Sequence, residues 1–122
     1  MADPHPSSRR ASLRILVAWP APAHVTVSVG GEVDAATAPA LRTELVDLIA
    51  RQHPREVEVD LAATSFLDCA GVSALIAAYH AASAAGCQVR LTHPRPIVRL
   101  VLEMFGLLEP FHVEAQPLAS AG

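Results

Sequence analysis

Apolar and polar residues alternate along the first third of the chain. In "HVTVSVGGEVD", Val25, Val27 and Val29 fall on one side and His24, Thr26 and Ser28 on the other, the two-residue period of a half-buried strand. "LRILVAW" (Leu13 to Trp19) reads as a strand before it, and "PAPA" between them as a turn, so the pair predicts a hairpin. The period then lengthens. Leu41, Leu45, Leu48 and Ile49 recur at helical spacing behind Thr37, a possible cap, and Pro39, which the first turn tolerates; a helix is expected over 37–51. "REVEVDLAAT" returns to alternation, with Val57, Val59 and Leu61 set against Glu56, Glu58 and Asp60. After Asp68, Val72, Leu75, Ile76 and Tyr79 mark a second helix over 70–85, ended by Gly86. "CQVRLTH" is a strand with Cys87, Val89 and Leu91 on one face. "PRPIVRLVLEMFG" is a third helix with Ile97, Leu100, Val101 and Met104 inward, and "EPFHVEA" a short closing edge strand.

The predicted order is β-β-α-β-α-β-α-β. Strands alternating with helices imply crossover connections, hence an α/β fold: a mixed, mostly parallel sheet of about four to five strands with helices packed on it. The 122 residues suffice for one core, expected over 12–115, with loose tails at 1–11 and 116–122. Aromatic residues make up only 4%, so Ala, Val, Leu and Ile must fill that core, with Trp19 and Phe105 expected in it or at its edge.

Charge and composition remove several classes of function. The net charge is −3 and the arginines, apart from the Arg9–Arg10 pair, are scattered singly, which offers no face for nucleic acid. No apolar run reaches the length of a membrane span, and no apolar segment follows the charged N-terminus as in a secretory signal, so a cytoplasmic protein is expected. All nine basic residues are arginine. A P-loop, a Schiff-base centre and a kinase-type ATP site each use a lysine, and all three are excluded. A helix between Cys69 and Cys87 would hold them about 25 Å apart at a rise of about 1.5 Å per residue. A disulfide needs Cα atoms within roughly 7 Å, so both thiols are expected to be free.

Two loops qualify for chemistry because sites in open α/β sheets form beyond the carboxyl ends of the strands. They are "GGEVDAAT" and "TSFLDCAG", each with an aspartate, Asp34 or Asp68, before a helix N-terminus. As a nucleophile Cys69 would gain from the helix dipole and lose from Asp68 beside it; position 72 is valine, so there is no CxxC pair. A small residue fitting a tight strand-to-helix turn accounts for Cys69 without catalysis. Asp68 cannot serve as a phosphoacceptor of the receiver type, which requires a lysine. Asp34 and Asp68 could hold Mg²⁺, but two acids on separate loops more often cap helices. The six histidines (His5, His24, His53, His80, His93, His112) lack metal-ligand spacing and read as surface and turn residues. No metal, cofactor or enzymatic centre is expected.

The same segments carry a family likeness. Gly31-Glu32-Val33-Asp34 gives G-E-x-D, residues 60–71 give D-L-x-x-x-x-F-L-D-x-x-G, and residues 106–111 give G-L-L-x-x-F. Together, from about Leu13 to Val113, the chain resembles the STAS domain of bacterial anti-sigma factor antagonists. That resemblance implies a non-catalytic binding module that engages an anti-sigma factor of the serine-kinase-like type and so frees a sigma factor for transcription, as a monomer or weak dimer. It also implies a switch: the partner phosphorylates a serine at a helix start, and the phosphate ends binding. Asp34 and Asp68 match the family's aspartates, and Asp34, Thr37, Asp68, Cys69, Ala70, Gly71 and Ser73 become the expected partner-binding residues. The phosphoacceptor position is Cys69 and the next is Ala70, so the hydroxyl is lost; the nearest are Thr64, Ser65 and Ser73. Two alternatives stay open, a thiol-based redox sensor acting through Cys69 and a STAS module for a small molecule.

Overall fold

The computed structural model describes residues 13–114; the tails expected at 1–11 and 116–122 lie outside the described residues. Five strands and three helices are present among them: β1 (Arg14–Ala21), β2 (His24–Val33), α1 (Ala38–Gln52), β3 (Glu56–Asp60), β4 (Thr64–Leu67), α2 (Cys69–Ala85), β5 (Gln88–Thr92) and α3 (Pro96–Met104). The α/β reading holds. β1 and β2 form the antiparallel hairpin, turned at Pro22–Ala23, and β3 and β5 follow in parallel, giving the order β1-β2-β3-β5. β2 is long enough to change partner. Its first half pairs with β3, and Gly31–Val33 pair in parallel with β4.

The alternation sorts the sheet as expected. Val25, Val27, Val29, Val57, Val59, Val89 and Leu91 are buried on one face, where Leu41, Leu45, Ile49, Leu75 and Leu102 meet them in a single cluster with Phe111. The opposite face is polar. Glu56 binds the Arg90 guanidinium and His24, and Thr92 donates to Glu58 at 2.7 Å. Arg90 holds the Glu56 carboxyl below its ordinary pKa, chiefly through that hydrogen bond. Cys87 is buried beneath α2, where loss of hydration pushes its thiol pKa up; Cys69 is exposed, and both thiols are free.

Four expectations change. "TSFL", expected as loop, is β4: the fully buried Thr64 donates its hydroxyl to the Val29 carbonyl at 2.7 Å, which fastens the strand to β2. "EPFHVEA", expected as an edge strand, consists of turns to His112 and irregular chain over Val113 and Glu114, with Ala115 outside the described residues. Pro110 breaks the run and His112 takes a left-handed φ of 52°; the segment's backbone is tied to the sheet by the Leu91 N–H donating to the Phe111 carbonyl at 3.1 Å. On α3, Val98 and Leu102 are buried whereas Ile97, Leu100 and Met104 are exposed, so the helix is rotated from the expected face. Trp19 and Phe105 are likewise exposed, because Trp19 sits on the edge strand and Phe105 at the outer end of α3.

Candidate functional site

The two loops singled out in the sequence lie side by side. β2 and β4 are parallel neighbours, so their carboxyl ends deliver Asp34 and Asp68 to the same end of the sheet, and the Asp68 N–H donates to the Val33 carbonyl at 3.2 Å. At the α2 junction Asp68 is extended (φ −118°) and its carboxylate accepts from the Ala70 and Gly71 N–H groups at 2.9 and 3.2 Å. These are two of the donors that a helix start leaves unpaired, and an aspartate there also meets the positive end of the dipole. Capping by Asp68 is as expected.

At the α1 junction the roles are divided otherwise. Asp34 accepts from the Ala36 and Thr37 N–H groups at 2.9 and 3.1 Å. Thr37 makes no side-chain cap to α1; its hydroxyl faces inward, donating to the Glu32 carbonyl at 2.8 Å and accepting from the Asp34 N–H at 3.0 Å. Thr37 is only 6% exposed, so it shapes the loop and offers no surface.

The expected site residues therefore separate by depth. Cys69 is exposed in the first turn of α2, Ala70 is half-buried beside it, and Ser73 is exposed one turn later. Gly71 is buried and fixed by sterics. A Cβ there would collide with the Leu67 side chain and lie 2.8 Å from Val33 Cγ1 and 3.1 Å from the Val33 carbonyl oxygen. Only a bare Cα lets α2 approach the two strands this closely. Of the neighbouring hydroxyls, Thr64 is buried and engaged while Ser65 and Ser73 are exposed.

Two parts of this surface were not foreseen. A groove of about 590 Å³ runs between α1 and α2, with Ala38, Pro39, Ala70 and Ala74 as apolar walls and Arg42 and Ser73 as polar ones. Phe66 stands 43% exposed two residues before Asp68, and α3, with its exposed apolar residues, contacts the same strand. An exposed aromatic beside an aspartate-capped turn was the available signal for Phe66; nothing local marks the groove, which two helices make jointly. Among the described residues no group of three or more His, Cys, Asp or Glu could hold a metal ion, and no helix is long and apolar enough to cross a membrane.

Comparison with known proteins bears on the family and the fold. A family model for the STAS domain matches residues 20–117, and the chain belongs to that family. An anti-sigma factor antagonist from Mycobacterium paratuberculosis has a similar structure, with 27% identity, a TM-score of 0.75, and coverage of 90% of this chain and 92% of that one. The anti-sigma factor antagonist SpoIIAA in its unphosphorylated form shares the fold at 20% identity, with a TM-score of 0.73 and coverage of 88% and 92%. A sulfate transporter family protein from Wolinella succinogenes does so at 19% identity and a TM-score of 0.64, covering 90% and 82%. No curated protein matches the sequence.

Proposed function

We propose that this chain is an anti-sigma factor antagonist whose docking surface is centred on the α2 N-terminus, and that Cys69 replaces the phosphoacceptor serine. It acts in the cytoplasm by binding and not by catalysis, holding a kinase-like anti-sigma factor away from its sigma factor. The observation that carries this reading is Cys69 itself: exposed, in the first turn of α2, directly behind an aspartate that caps the helix. Two antagonists among the similar structures support the role. Phe66 and the apolar side of α3 extend the surface, since exposed apolar area beside a polar rim favours protein contact. With no hydroxyl at 69 or 70 the partner has nothing to phosphorylate in this turn, so binding escapes the family's control.

Titration calorimetry against the anti-sigma partner tests the reading. Cys69→Ala should bind within about fivefold of wild type, since trimming one small side chain in an interface costs under about 1 kcal/mol. Cys69→Glu should bind far more weakly, because it buries an unpaired charge as a phosphate would. With ATP present, wild type should take up no phosphate at 69 or 70. Equal affinity of wild type and Cys69→Glu would place the interface elsewhere. The redox alternative rests on the same exposed thiol: it requires that peroxide weaken wild-type binding and leave Cys69→Ala unaffected.

A further inference from the structure

The arginines of the chain stand singly except at Arg9 and Arg10, and Ser12 follows that pair by two residues. In Arg9-Arg10-Ala11-Ser12 the serine has an arginine at the third and at the second position before it, and no other serine or threonine of the chain has both. Ser7 and Ser8, on the other side of the pair, have no arginine before them. Two guanidiniums at that spacing ahead of a hydroxyl are what a basophilic serine/threonine kinase reads. Carboxylates in its substrate groove bind them by charge-assisted hydrogen bonds and bring the hydroxyl to the γ-phosphate of ATP.

The sheet supplies cations close to the same serine. β1 begins at Arg14, two residues after Ser12, and Arg14 is paired with Gly30. A Cβ on Gly30 would lie 2.7 Å from Arg14 Nη2, 3.2 Å from Arg14 Cζ and 3.4 Å from Ala63 Cβ. The missing side chain therefore lets the guanidinium lie down on β2 beside the loop that leads into β4. One residue earlier in that loop, the Ala62 carbonyl accepts from Arg95 Nε at 2.9 Å. Two guanidiniums are thus anchored at residues 62–63, and among the described residues neither pairs with a carboxylate. Asp60 is engaged elsewhere, accepting from the Ala62 N–H at 3.0 Å and facing His93 at 3.4 Å.

We propose that Ser12 is a phosphorylation site for a basophilic serine/threonine kinase, and that Arg14 holds the phosphate at the 62–63 loop with Arg95 as the second cation. The kinase transfers the γ-phosphoryl group of ATP to Ser12 Oγ: the Oγ–P bond forms, the bond from that phosphorus to the bridging oxygen breaks, ADP leaves, and the hydroxyl proton passes to the kinase's catalytic base. Two residues of chain span at most about 7 Å, so Ser12 cannot lie far from Arg14 whatever path joins them. The product carries close to two negative charges and three acceptor oxygens, which the planar fork of an arginine matches. This control needs no hydroxyl at 69 or 70. The loop it charges runs through β4 into the α2 N-terminus.

The test uses the full chain, ATP with Mg²⁺, and the catalytic subunit of protein kinase A as the basophilic probe. Peptide mapping by mass spectrometry should find one phosphate, on Ser12, and none on Ser12→Ala. Arg9→Ala and Arg10→Ala should each lower kcat/KM about tenfold or more, as expected for one lost hydrogen bond between charged groups. Phosphorylated wild type should melt about 2–4 °C above the unmodified chain. Arg14→Ala, which leaves the kinase motif intact, should still accept phosphate on Ser12 and lose that increment. In phosphorus NMR the second ionisation of the phosphate, near pH ~6 when exposed, should shift down in wild type and return in Arg14→Ala. The chain recovered from its own cells should carry the same modification. Phosphate on another residue, uptake indifferent to Arg9 and Arg10, an increment that is absent or survives Arg14→Ala, or a cellular chain never modified at Ser12 would overturn the proposal.

Discussion

The two strand-to-helix junctions at the site use the same residue for different ends. Asp34 and Asp68 each accept two backbone N–H groups in a tight turn. At the first junction the turn is completed inward by the buried Thr37 hydroxyl, bonded to the Glu32 carbonyl and the Asp34 N–H. At the second it is completed by absence: Gly71 removes a side chain so that α2 can reach β2 and β4, and Cys69 is left outside. The first junction closes on itself. The second uses glycine and aspartate to hold an otherwise unengaged residue on the surface. Similar local chemistry thus gives a structural turn in one place and a presented one in the other.

The largest expected effect that sharpens this contrast is on Gly71→Ala. The added methyl meets Leu67 and Val33, so chemical denaturation should show a loss of about 2–3 kcal/mol, as for overpacking in a core. A loss below that of an ordinary surface alanine would mean α2 can retreat freely. Thr37→Val should rank next, at about 2 kcal/mol, because it leaves the Glu32 carbonyl and the Asp34 N–H without their partner. Asp68→Ala and Asp34→Ala should each lose about 1 kcal/mol, as helix-start acceptors do. A much larger loss for Asp34 alone would break the symmetry claimed for the two carboxylates. The smallest effect belongs to Cys69→Ala, whose melting curve should stay within about 0.5 kcal/mol of wild type, as expected of an exposed position.

Periodicity made most of this legible and failed where it carried no information. Val25, Val27 and Val29, or Val57 and Val59, point one way only, and they are buried as the alternation requires. On α3 apolar residues occupy 97, 98, 100, 101, 102 and 104, so two stripes compete; packing against the rest of the fold, not local pattern, chose Val98 and Leu102. β4 escaped because its four residues include Thr64 and Ser65, and Thr64 is buried only by virtue of a bond to β2, 35 residues away. At the site the aspartates and Cys69 could be read from their place before a helix. That Thr37 turns inward could not, since a hydroxyl before a helix looks the same whether it caps that helix or bonds back to the strand.

The placement of the two thiols makes the molecule its own double clock for alkylating reagents. Cys69 is open to a reagent at all times, so its modification rate measures how often something else covers the α2 N-terminus. Cys87 lies 8% exposed under the end of α2, with its thiolate disfavoured by burial. It can react only when that corner opens, at a rate set by the local opening equilibrium. A single mass-spectrometric time course therefore separates shielding of the surface from breathing of the fold, without introducing any residue the chain does not already have.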